Sequence, residues 1–121
     1  MENTSLPVNI YGIKNCDTMK KSLKWLEGNN IEFRFHDYKK EGVTSALVEQ
    51  WLTTLPLDKL INRRGTTWRK LPETLKENLT IESGIKLIVE NTSLIKRPLL
   101  DVEGQYYLGF SAEEYAQIFG S

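Results

Sequence analysis

The fold is decided by one stretch of the chain, residues 7–38, which reads PVNIYGIKNCDTMKKSLKWLEGNNIEFRFHDY. Its beginning, residues 7–13, is rich in β-branched and aromatic side chains and predicts a short strand. Its end, residues 31–38, alternates apolar with polar side chains, which predicts a second strand with one apolar face.

A helix is predicted between these two strands, over about residues 16–28. Met19, Leu23 and Leu26 recur there at helical spacing, and the glycine and asparagines at 28–30 provide a left-handed stop. A strand, a helix and a strand within about 30 residues form a βαβ unit, whose strands are parallel and whose crossover is right-handed.

Helices are predicted to follow this unit. Thr44 can cap one that Pro56 ends, and Pro72 suits the first turn of another. Residues 80–90 fit either a helix capped by Thr80 or a short buried strand, and we interpret them as a helix because glycine and serine would leave the strand very short.

The last part of the chain predicts a β-hairpin and a final helix. Residues 99–102 and 106–110 flank Glu103-Gly104, a turn sequence. Ser111 and Glu114 form a capping box that opens the helix. A parallel unit joined to an antiparallel hairpin predicts an α/β fold with one mixed sheet and helices on its faces.

Composition limits the class of protein. The chain has 121 residues, of which 40% are hydrophobic and 26% charged, as expected for one compact domain. Lys and Arg number 16 and Asp and Glu number 16, so bulk positive charge gives no support for nucleic-acid or anionic-membrane binding.

The cysteine count and the chain's beginning limit the class further. One cysteine excludes an intrachain disulfide, and one cysteine with one histidine argues against a structural metal site. The polar start and the lack of an apolar run of about 18 residues predict no signal peptide and no membrane span. The expected compartment is the cytoplasm, where a lone thiol stays reduced.

The cysteine itself, Cys16, is the sharpest functional feature. It lies between the carboxyl end of the first predicted strand and the first predicted helix, where ligands bind in open α/β sheets. Unpaired backbone N–H groups at a helix start favour the thiolate, which is the reactive form. A small buried hydrophobe is the alternative interpretation, and position alone leaves both open.

Two basic stretches are candidate anion sites. Pro98 keeps Arg97 out of helical geometry at the start of a strand, so that the guanidinium has a fixed backbone, although a solvated arginine is the more frequent outcome. Residues 62–70 gather several cations near Trp68; they fit an anion-binding loop or, more often, a solvated loop with the indole in the core. His36 lies on the polar strand face, which favours a surface or hydrogen-bonded role.

Four stretches carry a likeness to a known family: 11–18 (YGIKNCDT), 35–38 (FHDY), 62–71 (NRRGTTWRKL) and 95–100 (IKRPLL). With them the chain resembles the ArsC/Spx family of glutaredoxin-linked arsenate reductases and their relatives, and it is most similar to the YffB subgroup. The resemblance implies a thioredoxin-like, mixed four-stranded sheet with an all-helical insertion between strands 2 and 3. It implies a single ArsC-like domain over residues 1–121, with the core at about 7–43 and 91–121 and the insertion at about 44–90.

The resemblance also implies site residues. Cys16 would be the catalytic nucleophile, and Pro98 would be a cis-proline facing it. The implied anion- or substrate-binding residues are Arg97, Arg64, Asn15 and Pro98, with Arg63 as the alternative to Arg64. No resident cofactor or metal is implied.

Three positions depart from the family's patterns. Arsenate reductases carry a third arginine where this chain has Phe110 and a histidine where it has Gly12, and Spx regulators carry a second cysteine where it has Met19. The expected function is therefore a glutathione-dependent thiol reductase whose mixed disulfide is resolved by an external thiol. The alternatives are a non-catalytic, Spx-like protein-binding module and an arsenate reductase. Expected partners are glutathione, a small thiol or an oxyanion, and glutaredoxin, with a monomer favoured.

Overall fold

The computed structural model describes residues 8–120. Its strands are β1 (Val8–Gly12), β2 (Arg34–Asp37), β3 (Leu99–Val102) and β4 (Gln105–Leu108). Its helices are α1 (Asp17–Gly28), α2 (Tyr38–Glu41), α3 (Ser45–Trp51), α4 (Leu57–Leu60), α5 (Thr66–Lys70), α6 (Glu73–Glu77), α7 (Ile81–Glu90) and α8 (Ala112–Phe119), and a 3₁₀ turn spans Thr92–Leu94. No helix within residues 8–120 has the length and apolar character needed to cross a membrane.

The four strands form one mixed sheet in the order β2-β1-β3-β4. β1 pairs in parallel with β2, across the α1 crossover, and antiparallel with β3, which forms the hairpin with β4. Between β2 and β3 the chain is helical. The predicted α/β class, the mixed four-stranded thioredoxin-like sheet and the helical insertion between strands 2 and 3 are confirmed.

The chain divides into two compact units. The first contains the described residues up to Asp37 and from Arg97 onward, and so holds the whole sheet with α1 and α8. The second is Tyr38–Lys96, which contains the predicted insertion, about 44–90.

The core of the first unit lies on one face of the sheet. Strand side chains alternate between faces, so β1 turns its even-numbered residues toward α1 and α8. Packed together there are the buried residues Val8, Ile10, Met19, Leu26, Leu100 and Tyr115. The sheet's apolar alternation thus fixes which face of α1 is buried.

The second strand is shorter than predicted. Only Arg34–Asp37 pair with β1, and Ile31 instead donates its backbone N–H to the carbonyl of Leu26 as part of the C-terminal cap of α1. Asn30 there has φ 58°, the left-handed conformation that ends a helix. Tyr38, predicted as strand, begins α2 because the helical unit starts at that residue.

Two helices of the second unit begin at the predicted capping residues. The predicted ends differ, because α3 stops at Trp51, before Pro56, and Pro72 is the N-cap of α6 rather than a residue of its first turn. The Leu47 amide donates to Thr44 Oγ1 at the start of α3. Thr80 and Ser83 exchange side-chain and backbone hydrogen bonds at the start of α7, which confirms a helix rather than a strand at residues 80–90.

The basic stretch at residues 62–70 differs from the predicted loop. Its second half is α5, and Trp68 is only half-buried rather than a core residue. The Arg63 guanidinium carbon lies 5.3 Å from the centre of the indole and Lys76 Nζ lies 5.6 Å from it, both within the range of cation–π attraction. The indole therefore binds cations of its own chain.

A buried hydrogen bond joins α1 to α8 in the first unit. The Ser22 and Tyr115 hydroxyl oxygens are 2.8 Å apart, and both residues are fully buried. Tyr115→Phe is expected to lower the free energy of unfolding by about 1–3 kcal/mol, because the Ser22 hydroxyl loses its partner inside the core. Urea denaturation measures this, and the double variant Ser22→Ala/Tyr115→Phe should lose less than the single one.

Tyr115 also makes the stability of the fold depend on pH in the alkaline range. Burial raises the pKa of Tyr115 to about 12, with a smaller lowering by the Ser22 hydrogen bond and a further rise from Glu114. The folded state holds the phenol neutral, so this contribution to stability is complete below the unfolded pKa of about 10 and is lost as the pH rises toward 12. If the free energy of unfolding fell equally between about pH 10 and 12 in the parent and in Tyr115→Phe, this role of Tyr115 would be contradicted.

Candidate functional site

Cys16 lies where the chain passes from β1 into α1. Its backbone is extended, with φ −132° and ψ 126°, and it is the N-cap residue of α1. The Lys20 amide donates to the Cys16 carbonyl over 2.9 Å, the first hydrogen bond of the helix. The thiol is half-buried rather than sealed in the core. The structure therefore places the sulfur at the helix start, as predicted.

The surroundings of the thiol favour its ionised form. Burial raises the pKa of Cys16, but the backbone N–H of Met19, a hydrogen bond from Arg97 and the N–H of Thr18 together lower it below the ordinary value. The charge of Arg97 lowers the pKa further. The Cys16 side chain makes no capping hydrogen bond. The N–H groups of the first turn instead favour the thiolate through their partial positive charge.

Arg97 reaches the thiol because of the register between β1 and β3. Tyr11 pairs with Leu99, so the two residues before β3 run alongside the end of β1 that leads to Cys16. Pro98 is buried and Arg97 half-buried, and the peptide bond between them is cis, as the resemblance implies. The guanidinium lies close enough to the Cys16 thiol to lower its pKa through hydrogen bonding and through its charge. The structure thus brings Cys16 and Arg97 together.

For the other predicted site residues the structure gives no contact with the Cys16 thiol. Asn15 is exposed in the turn before Cys16. Arg64 is exposed in the second unit, and its backbone N–H donates to Asn62 Oδ1 over 3.2 Å. Arg63 is held on Trp68, which leaves Arg64 as the better candidate of the two for an anion. Their roles at the site stay predictions.

His36 lies on the opposite face of the sheet from the core. Its Nε2 is 2.8 Å from Asn9 Oδ1, and its ring stacks on Tyr11 with centroids 4.5 Å apart. The predicted hydrogen-bonded role is confirmed.

One contact at the site was not predicted from the sequence. Gly12 ends β1, and the buried side chain of Met19 occupies the space where a side chain at residue 12 would lie. The signal in the sequence is a glycine at the end of a strand, followed by a long apolar residue in the first turn of the next helix. Neither feature alone predicts the contact.

Phe110 follows β4 and packs its ring edge-to-face on Tyr115, with centroids 4.8 Å apart. The positions where arsenate reductases carry an arginine and a histidine are thus part of apolar packing here. What remains is a thiol biased toward the thiolate, with a guanidinium beside it. Such a pair can attack an electrophilic sulfur or oxyanion and hold its negative charge.

Comparisons with known proteins agree with this geometry. An uncharacterized protein from Haemophilus influenzae is 43% identical over 112 residues, covering 93% of this chain and 98% of its own. The structure of the YffB protein is 39% identical, with a TM-score of 0.86, and covers 91% of this chain and 96% of its own. An arsenate reductase (ArsC) related protein from Brucella melitensis is 46% identical, with a TM-score of 0.77, and covers 95% of this chain and 96% of its own.

A match to a family model also covers most of the chain. The model of the ArsC family covers residues 11–118, which include the cysteine, the arginine–proline pair and the helical insertion. The resemblance to arsenate reductase-like proteins and to the YffB subgroup is therefore confirmed, and this chain belongs to the ArsC family.

Proposed function

We propose that the protein is a glutathione-dependent thiol reductase in which Cys16 is the nucleophile. The observation that supports this most is the half-buried Cys16 thiol at the start of α1, with the Arg97 guanidinium close beside it. A reactive cysteine needs a lowered pKa and access to solvent, and Cys16 has both.

The proposed cycle has two exchange steps. The Cys16 thiolate attacks the glutathione sulfur of a mixed disulfide R–S–S–glutathione, forms a protein–glutathione disulfide and releases RS⁻, which takes a proton from solvent. A second glutathione thiolate then attacks the glutathione sulfur on Cys16, releases the protein thiolate and leaves as oxidised glutathione. The substrate disulfide is reduced and glutathione is oxidised.

An external thiol is required because the chain has one cysteine. A protein with a second cysteine could expel the bound glutathione by forming an internal disulfide, and this chain cannot. Glutathione is therefore proposed as co-substrate and not as a resident cofactor. Glutaredoxin can supply the same thiol, and the reducing cytoplasm is the compartment in which such a cycle runs.

Arg97 has two proposed roles. Its charge favours the thiolate, and its planar guanidinium can bind a carboxylate of glutathione or an oxygen of an oxyanion through paired hydrogen bonds. On the strength of the family resemblance, Asn15 and Arg64 are each proposed as a further anion-binding residue. Pro98 would then line the site beside the thiol.

Arsenate reduction is the less favoured function. Gly12 and Phe110 replace a histidine and an arginine of arsenate reductases, and a polar side chain at residue 12 would collide with Met19. An arsenate-binding site in this chain would contain Arg97 but would lack two of the groups that bind the oxyanion in arsenate reductases.

The proposal is tested by the pH dependence of Cys16 reactivity. Alkylation of the folded chain by iodoacetamide is expected to stay fast below the ordinary thiol pKa, because burial is outweighed by the two amides and Arg97 and the folded pKa is lowered. The same chain in denaturant is the control, and its rate should follow an ordinary pKa of about 8.5. Oxidised glutathione should add one glutathionyl group per folded chain, as seen by mass spectrometry.

Coincident rate profiles for the folded and denatured chain, with no adduct at neutral pH, would reject the reductase. Such a result would favour the alternative of a protein-binding module that keeps the fold without the chemistry.

A further inference from the structure

We propose that Gly12 and Met19 form a positioning pair, which holds the first turn of α1 against the end of β1 and so aims a backbone N–H at the Cys16 sulfur. Its effect on catalysis rests on the proposed reductase function, whereas its effect on the thiol can be measured without any turnover.

The Met19 side chain occupies the place that a side chain at residue 12 would need. A Cβ atom added to Gly12 would lie 2.7 Å from Met19 Cε and 3.0 Å from Cγ, and closer still to Sδ. Real Cβ atoms do not approach side chains so closely, so any larger residue at position 12 must displace Met19. Met19 is fully buried, so its flexible thioether could shift only within the core that surrounds it.

Glycine at position 12 is required for space and not for backbone conformation. The even-numbered residues of β1 face α1, and Val8 and Ile10 fill that face with side chains. Gly12, at the end of the same strand, leaves its place empty for the Met19 side chain. Helix side chains tilt toward the N-terminus, which directs Met19 back toward the strand that precedes its helix.

The position of Met19 in the helix links this contact to the thiol. Cys16 is the N-cap of α1, so Met19 is the third residue of the helix. The side chain of an N-cap residue accepts hydrogen bonds from the N–H groups of the second and third helical residues. In α1 these are Thr18 and Met19. The Cys16 side chain makes no capping hydrogen bond with them, but both N–H groups lie in the first turn and lower the pKa of the thiol. Fixing the Met19 side chain on Gly12 therefore fixes the direction of its own N–H.

The test compares two truncations in one helix. Met19→Ala removes the contact, whereas Leu26→Ala makes a similar truncation of a fully buried residue in the same core, remote from the sulfur. We expect alkylation of Cys16 at pH 6, measured on folded protein, to fall about three- to tenfold in Met19→Ala, because the thiolate loses an oriented donor. Leu26→Ala should stay within twofold of the parent.

Two further variants separate positioning from packing. Met19→Leu keeps a long apolar side chain and should restore the parent rate. Met19→Val lacks the two atoms nearest Gly12 and should fall with Met19→Ala; it serves if the alanine variant does not fold. Gly12→Ala should slow alkylation in the parent but have no added effect beside Met19→Ala, since the two residues act through one contact.

The possible results distinguish failure of the positioning pair from failure of the reductase proposal. Equal losses in Met19→Ala and Leu26→Ala, or additive losses in the double variant, would overturn the positioning pair. If the parent itself showed an ordinary thiol pKa, the reductase proposal would fail first. A parent with a lowered pKa that Met19 variants leave unchanged would reject the pair and keep the reductase.

Discussion

Cys16→Ser is expected to abolish glutathione-dependent reduction, with a loss in kcat/KM of roughly a thousandfold or more. A serine hydroxyl does not ionise under the influence of two amides and a guanidinium, and it forms no disulfide with glutathione. The assay is reduction of the mixed disulfide of 2-mercaptoethanol and glutathione, coupled to glutathione reductase. Oxidised glutathione should also leave the variant without an adduct.

The fold provides the control for this substitution. Serine is close to cysteine in size and residue 16 is only half-buried, so the variant should keep the circular dichroism spectrum of the parent and melt close to the same temperature. A folded variant that turned over at the parent rate would show that the chemistry lies elsewhere in the chain.

Arg97→Met is expected to lower kcat/KM about 10- to 100-fold, because the site loses a charge-assisted hydrogen bond and a binding group for an anion. The pKa of Cys16 should rise toward its ordinary value, since both the hydrogen bond and the charge of Arg97 lower it. Alkylation across a pH series measures the pKa, and the coupled assay measures kcat and KM separately.

A lysine and a remote arginine complete this experiment. Arg97→Lys keeps the charge but not the planar fork, so it should recover much of the pKa effect and less of the KM for glutathione. Arg34→Met removes an exposed arginine of β2 in the same unit and makes the same change in net charge. If Arg34→Met and Arg97→Met gave equal losses, bulk charge rather than a specific contact would explain them.

Much of this site can be predicted from the sequence. A strand that ends near Gly12 and a helix that begins near Asp17 place Cys16 at a helix start, and such positions depend on local patterns that a single sequence reveals. That the residues before β3 lie near Cys16 is implied by the family resemblance and not by the hairpin pattern, and the pairing of β1 with β3 supplies the structural reason. The family resemblance implies that Cys16 is the nucleophile, and thiol exchange is the chemistry proposed for it.

What the sequence could not predict depends on contacts between elements. The spacing of Met19, Leu23 and Leu26 predicts the buried face of α1, but it does not predict that Met19 lies against Gly12, which depends on how α1 packs along β1. Residues 31–33 alternate like a strand, yet the chain uses Ile31 to cap α1. Trp68 is apolar enough for a core, but cations of its own chain cover it and it stays at the surface. In each case a tertiary or capping contact decided between two locally acceptable structures.

The choice of residue at the start of α1 has a consequence for folding. Serine is among the preferred N-cap residues, because its hydroxyl accepts a short hydrogen bond from the first turn, and a protonated thiol does this poorly. While its thiol is protonated, Cys16 is therefore a weak cap for α1, and at a pH below the folded pKa of Cys16 the inert Cys16→Ser protein should be more stable by about 0.5–1 kcal/mol. At higher pH the amides of the first turn stabilise the thiolate, so this difference in stability should shrink. At residue 16 the side chain that caps the helix better is the one that cannot carry out the proposed thiol chemistry.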